Sequence, residues 1–339
     1  MLRATQASSP DLAQVTDETA VAELWWRRLA VVGRKAAVRQ ELLLKLATEQ
    51  ADALRAFTSA GELAPADAGA AGELRRDGIL EEGQARYAFA HDLFADWALL
   101  QRLRAVGEDA AVRELATKAA LPSWHRAIRL YALSVLRDGG LPAWSGMRRL
   151  LVEADEPLLA DLFLDAPLFA QDAGEQLRAL WPVLIEDDGA LLRRLLQRFL
   201  YAATIPDPTG ALLFAGAPEL EAYWASQTRV PLAPLWPAVL ELIDAHREVA
   251  ISLANREVAE IVDLWLRKAC PGDALCVRAA EIAIAIGRFV LTENEAGRSF
   301  GEDPEISLWK SVVAAGVVDP AGLLELLLPA LEPAEEEDR

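Results

Sequence analysis

Tyr87-Ala-Phe-Ala-His-Asp-Leu-Phe-Ala-Asp-Trp97 changes its periodicity halfway along. Arg86, Tyr87, Ala88 and Phe89 alternate in character as a half-buried strand does. Leu93, Phe94, Trp97 and Leu100 instead fall on one stripe of a helix. The pattern therefore predicts a strand that ends at Phe89 and a helix from His91 to about Arg104. On the other side of the strand, Ile79-Leu80 is apolar and Glu81-Glu82-Gly83-Gln84 has turn chemistry, which completes one small β-hairpin.

Further toward the N-terminus the signals are helical. Val21, Leu24, Trp25 and Leu29 share one face and Arg27 and Arg28 the other, predicting an amphipathic helix over Glu18 to Ala30. The Trp-Trp-Arg-Arg run reads better as a core Trp beside solvated Arg than as a base-stacking platform. A second helix is expected from about Lys35 to Thr48, with Leu42, Leu43 and Leu46 apolar, then a shorter one near Ala51 to Phe57. Ser59 to Gly72, rich in Ala and Gly and containing Pro65, reads as a loop, and Ala71 to Asp77 as a short helix stopped by Gly78. Short helices followed by a hairpin is the order of elements in a winged helix.

From Gly107 onward only helical periodicity is evident. Trp124, Ile128, Tyr131 and Val135 recur at helical spacing, and Gly139-Gly140 ends that helix. Leu121-Pro-Ser-Trp124 returns as Leu141-Pro-Ala-Trp144, and Leu180-Trp-Pro-Val as Leu235-Trp-Pro-Ala. Pro is tolerated in a first helical turn and a Trp beside it anchors the entry, so these echoes predict stacked helix pairs. Later stripes are Ala254, Val258, Ile261 and Trp265, then Leu275, Ala279, Ile282 and Ile286, then Trp309, Val312 and Val313. The expected fold is all-α: a winged-helix-like N-terminal unit with one small β-hairpin, followed by an irregular α-solenoid of HEAT-like helix pairs. The domains expected are a tail or linker over 1–16, a winged-helix-like domain over 17–106, a helical repeat domain over 107–331 and an acidic tail over 332–339.

Composition narrows the function classes. A formal net charge of -18 repels polyanions, which disfavours nucleic acid and anionic lipid as partners. Cys270 and Cys276 flank Pro271-Gly272 with no histidine nearby, so they read as reduced packing residues rather than a zinc pair. The first ten residues lack the apolar core of a secretory signal, and no apolar run approaches a membrane span, so a cytoplasmic location is expected. No phosphate loop is present: Gly33-Arg-Lys35 lacks both the upstream glycine and a following hydroxyl. No nucleophile elbow or zinc helix occurs either, so no catalytic residue and no metal ligand is assigned and the chain is not expected to be an enzyme by itself. Ser123 and His125 are close along the chain, but Ser123 fits a capping turn at a helix start better than a dyad.

His91 stands out by its place. At a helix N-terminus the unpaired amides attract anions and favour an uncharged imidazole, which makes a reasonable donor to a phosphate. The simpler reading is a histidine bonded to backbone or to Asp92.

Tyr87-Ala-Phe-Ala-His-Asp-Leu-Phe-Ala-Asp-Trp-Ala98 resembles the Phe-x-His element, followed by an aromatic-Ala pair, in the winged helix of STAND signalling ATPases, including NACHT-type and bacterial antiviral members. Leu24-Trp-Trp-Arg-Arg28 and Leu74-Arg-Arg-Asp-Gly-Ile-Leu80 fall in the order such proteins show, so the resemblance spans roughly residues 17 to 105. It implies that His91 contacts the phosphates of a bound ATP or ADP, that Phe89 packs beneath it, and that Trp97 is the aromatic of the following helix, with Asp92 supporting His91. It also implies that the helical array senses a ligand or protein partner. The ATPase core is missing from this sequence, so the nucleotide would have to come with an upstream domain or a separate subunit. The expected function is thus the regulatory and sensor region of a STAND-type ATPase. A free-standing α-helical protein-interaction scaffold is the alternative, and a winged-helix DNA binder a weaker one, because Glu73-Leu-Arg-Arg-Asp77 has mixed charge where a recognition helix needs a basic face.

Overall fold

The computed structural model describes residues 17–331, apart from 34, 107, 269–273 and 296–301. The tails expected over 1–16 and 332–339, and Cys270, Pro271 and Gly272, lie outside the described residues. What is described is mostly helical with little sheet, and it packs as two compact units that divide between Gln171 and Asp172. The division expected near residue 107 falls inside the first unit.

The first unit begins with α1 (Glu18–Trp25), capped by the Asp17 carboxylate on the Ala20 amide at 2.9 Å. Its chain runs on into a π-helical turn over Trp26–Ala30, closed by the Val31 amide on the Trp26 carbonyl at 3.0 Å. That wider turn shifts the phase of the apolar stripe. Trp25 and Ala30 are buried, while Val21 and Leu29, expected on the buried face, are exposed. Helix α2 (Ala36–Asp52) runs a turn further than expected and buries Leu42, Leu43 and Leu46, while the shorter helix expected near Ala51 to Phe57 does not form, the chain leaving the helix after Asp52.

After α2 comes strand β1 (Thr58–Ser59), a 3₁₀ turn over Ala60–Glu62, and α3 (Ala68–Arg76), in a stretch expected to be mainly loop. Strands β2 (Leu80–Gly83) and β3 (Arg86–Phe89) form the anticipated hairpin, in register Leu80 with Phe89. The turn falls at Gln84 and Ala85, both at positive φ, while Glu81, Glu82 and Gly83, expected in the turn, extend strand β2. The unforeseen strand β1 adds antiparallel to β3, giving the sheet order β1-β3-β2.

A buried arginine that the sequence reading missed holds this part together. Arg39 donates to the Ala30 carbonyl at 2.9 Å, to the Leu29 carbonyl at 2.8 Å and to Asp77 at 2.7 Å. It thereby satisfies the orphan carbonyls that end the π turn and fixes the end of α3. Gln50 does the same for the sheet, donating to the Thr58 hydroxyl and the Tyr87 carbonyl, each at 3.2 Å.

The rest of the unit is helical: α4 (Asp92–Ala105), α5 (Glu108–Lys118), α6 (Pro122–Glu153), α7 (Pro157–Leu164) and α8 (Ala166–Phe169). Helix α6 is broken at Gly140, which takes φ 66°, as the paired glycines suggested. The two Leu-Pro-x-Trp signals both open helical stretches with a fully buried Trp. Trp124 donates to Asp52 and Trp144 to the Phe163 carbonyl, each at 2.9 Å.

In the second unit, α9 (Ala173–Leu184) is followed after Ile185 by α10 (Glu186–Ala202), whose first turn carries three successive left-handed residues, Asp187, Asp188 and Gly189. The Trp-Pro echo does not hold here. Trp181-Pro182 lies in the last turns of α9, where the helix runs on only to Leu184, whereas Trp236-Pro237 does open a helix. Between α10 and that helix the chain makes β4 (Thr204–Pro206), α11 (Thr209–Leu213), α12 (Pro218–Gln227) and β5 (Arg229–Pro231). This second sheet, β4 antiparallel to β5, corrects the reading that everything after Gly107 is helical.

Helices α13 (Trp236–Ala245), α14 (Arg247–Lys268), α15 (Ala274–Glu295), α16 (Glu302–Ala315) and α17 (Pro320–Leu331) complete the unit. The stripes Ala254, Val258, Ile261, Trp265 and Ala279, Ile282, Ile286 are buried as expected. Val313, assigned to the third stripe, is exposed. Helix α14 is kinked at Ala254, and Arg193 of α10 takes up the freed Leu253 carbonyl at 2.7 Å.

Candidate functional site

The segment that ends β3 and begins α4 is built around a side-chain cap. His91 has extended backbone, φ -150° and ψ 136°, and its Nδ1 accepts the Leu93 amide at 3.2 Å. An imidazole nitrogen that accepts cannot carry the proton, so the cap selects the neutral tautomer with hydrogen on Nε2. The ring is exposed, which leaves Nε2–H as a donor at the start of a helix.

Behind His91 runs a chain of rings. Phe94 is 6.1 Å from the imidazole, stacks on Trp25 at 5.1 Å with 9° between planes, and lies 5.9 Å from Trp97. Trp97 and Trp25 are themselves 5.5 Å apart and both are buried. Trp97 also donates to Glu18 at 3.2 Å, and Glu18 accepts Arg126 at 2.8 Å. The side chains around His91 are therefore rooted in α1, α4 and α6 at once. Glu23 of α1 reinforces this, bonded to both Arg104 and Arg137. Burial would raise the Glu23 carboxyl, but the two guanidinium groups outweigh it and hold it below the usual range.

Phe89 and Asp92 belong to a different environment. Both line a cavity of about 260 Å³ at the end of α2 and the start of α4, with Gln50, Asp96 and Ser123. The ring that lies against His91 among the described residues is Phe94 rather than Phe89. The structure thus joins His91 to Trp97 through Phe94 and groups Phe89 with Asp92.

Asp96 was not singled out from the sequence. Burial pushes its carboxyl up to about 6, and Arg126, 3.6 Å away, offsets this only in part while Glu18 and Asp92 add to it. Its signal was available: it stands one helical turn after Asp92, beside the apolar stripe of α4. Ser123 and His125 form no dyad. The Ser123 hydroxyl donates to the Ala51 carbonyl at 2.7 Å, capping the end of α2 rather than its own helix, and His125 Nε2 lies 2.9 Å from the Ala119 carbonyl. His246, the third histidine, stacks on Trp181 at 4.1 Å.

Among the described residues no group of three His, Cys, Asp or Glu side chains is placed to hold a metal ion, and no helix is long and apolar enough to cross a membrane. No protein-family model matches the chain, and no curated protein matches it.

Proposed function

We propose that this chain is the regulatory and sensor region of a STAND-type signalling ATPase and works with a nucleotide-binding core supplied by an upstream domain or another subunit. The observation that carries this reading is the exposed Nε2–H of His91, set by its own cap at the junction of strand and helix. A neutral donor at a helix N-terminus suits a phosphate oxygen, and the rings behind it offer a rigid route from that contact to α1 and α6. The order of α2, β1, the 3₁₀ turn, α3, β2 and β3, with sheet order β1-β3-β2, supports reading this part as a winged helix. The helices that follow would then be the sensing array, an irregular α-solenoid in this reading.

The partner side of the reading rests on exposed apolar residues. Leu212 and Leu213 of α11 and Leu220 and Tyr223 of α12 all face solvent, a concentration that suits a protein surface. This observation equally supports the scaffold alternative, in which His91 is only a helix cap. DNA binding is disfavoured because two of the basic groups near α3 already face carboxylates: Lys35 pairs with Glu73 at 3.3 Å and Arg75 with Glu82 at 2.5 Å.

The test is to express the chain with the product of any adjacent reading frame that carries a phosphate loop and to measure the ADP retained by the complex. His91→Asn preserves a good N-cap but removes the ring donor. Under this proposal it lowers ADP retention about tenfold, the loss of one charge-assisted hydrogen bond, and leaves thermal stability unchanged. Unchanged retention, or neighbouring genes without a phosphate loop, would leave the scaffold reading in its place.

A further inference from the structure

A second cavity, of about 300 Å³, opens between the start of α1, α6 and α8. Leu130, Leu133, Ala166 and Phe169 make an apolar wall, and Arg126 and Arg129, one helical turn apart on α6, supply two guanidinium groups. The charged groups around it are not equivalent. Asp17 is engaged by the Thr19 hydroxyl at 2.6 Å and the Ala20 amide at 2.9 Å. Glu18 is engaged by Trp97 and Arg126. Arg129 makes no hydrogen bond among the described residues; its ion pair is with the fully buried Asp165 at 3.9 Å, beyond hydrogen-bond reach.

A guanidinium with its donor fork unfilled, beside an aliphatic and aromatic wall, matches a carboxylate carried on an apolar body. A doubly charged phosphate fits worse, because Asp17, Glu18 and Asp165 all border the same space. We propose that this cavity binds a monoanionic carboxylate with a short aliphatic chain, Arg129 holding the carboxylate and Leu130, Leu133 and Phe169 the chain. A free aliphatic acid and the C-terminal residue of a peptide ending in leucine present that same chemistry. The site does not depend on whether the chain serves an ATPase.

The test titrates the full chain, by ligand-observed NMR, with hexanoate and hexanamide, and with a short acetylated peptide ending in leucine as free acid and as amide. The expected result is that at least one acid binds about tenfold more tightly than its amide, and that Arg129→Gln abolishes the difference. Preference for hexanoate assigns the site to a free acid, and preference for the peptide acid to a peptide terminus. Intermolecular NOEs from the aliphatic chain to the Phe169 ring are expected in the unmodified protein and serve as the check should Arg129→Gln fail to fold. Equal binding of acids and amides, no binding at millimolar ligand, a preference that survives Arg129→Gln, or absent NOEs to Phe169 overturns the proposal.

Discussion

The two small sheets are held in place by different means. In the first unit, β1-β3-β2 is anchored at one end by apolar burial, Leu80 of β2 and Ile79 just before it being at most 2% exposed, and the buried Gln50 stitches α2 to both β1 and β3. In the second unit, β4 and β5 have no comparable apolar face, and Ile205, the middle residue of β4, is exposed. They are clasped by polar groups. Arg229 donates to the Thr204 hydroxyl at 2.6 Å and carbonyl at 2.7 Å, Trp236 donates to the Ala203 carbonyl at 2.8 Å, and Lys268 reaches Asp207 at 2.8 Å. A sheet with a buried face leaves an alternating pattern in its sequence; a clasped one need not.

This contrast is open to test. The largest effect is expected from Gln50→Leu, which leaves the Thr58 hydroxyl and Tyr87 carbonyl without their amide partner and should cost about 2 kcal/mol. Thermal unfolding measures the loss, and hydrogen exchange should show it first in β1 and β3. If exchange rises no more there than in β4 and β5, Gln50 is not the stitch described.

A smaller effect of opposite sign is expected beside the same sheet. The folded-state pKa of Asp96 is raised from 3.8 to about 6, so the native state holds its proton more firmly than the unfolded chain. Stability therefore falls as pH rises from about 4 to 6. Asp96→Asn should escape that fall and be more stable at pH 7 by about 1 kcal/mol, less than the difference in pKa alone would give because water entering the cavity beside it screens the charge, with the advantage gone below pH 4. Urea unfolding across that range measures it, and an Asn variant destabilised at pH 7 contradicts the assignment.

The smallest effect is expected at the clasp. Lys268 and Thr209 hold the Asp207 carboxyl at about 2, below its usual 3.8. A depressed carboxyl contributes its stability above the unfolded value and loses it as pH falls toward the folded one. Asp207→Asn should thus lower the stability of the second unit at neutral pH and flatten its acid limb between about pH 4 and 2. An unaltered acid limb in hydrogen exchange of β4 and β5 would show that the clasp does not couple to this carboxyl.

Much of the first unit was legible for a physical reason. Its hairpin and α4 carry apolar residues at periods of two and three to four, and Gly78 and Gly140, both at positive φ, mark the end of α3 and the break in α6. The Trp124 and Trp144 anchors were readable because Pro and Trp have few places in a helix. What failed to show were features whose cause lies far along the chain. Strand β1 has two residues and no periodicity, and it exists because β3 offers an edge and Gln50 a bond. The π turn after α1 could not be read from a pattern that assumes a constant pitch, and its carbonyls are satisfied by Arg39, a residue of another helix.

At the candidate site the division is similar. The sequence by itself located His91 at a change of periodicity and made it a helix cap, because the amides of a first turn need an acceptor and His91 is the side chain at hand. It also determined the helical class, through apolar stripes that must be buried. Only the tertiary structure decided which ring lies against the imidazole, that Phe89 and Asp92 face a separate cavity, and that Asp96 is desolvated there. These depend on the angles at which α1, α2 and α6 cross α4, set by the packing of side chains distant in sequence, and no local pattern encodes them.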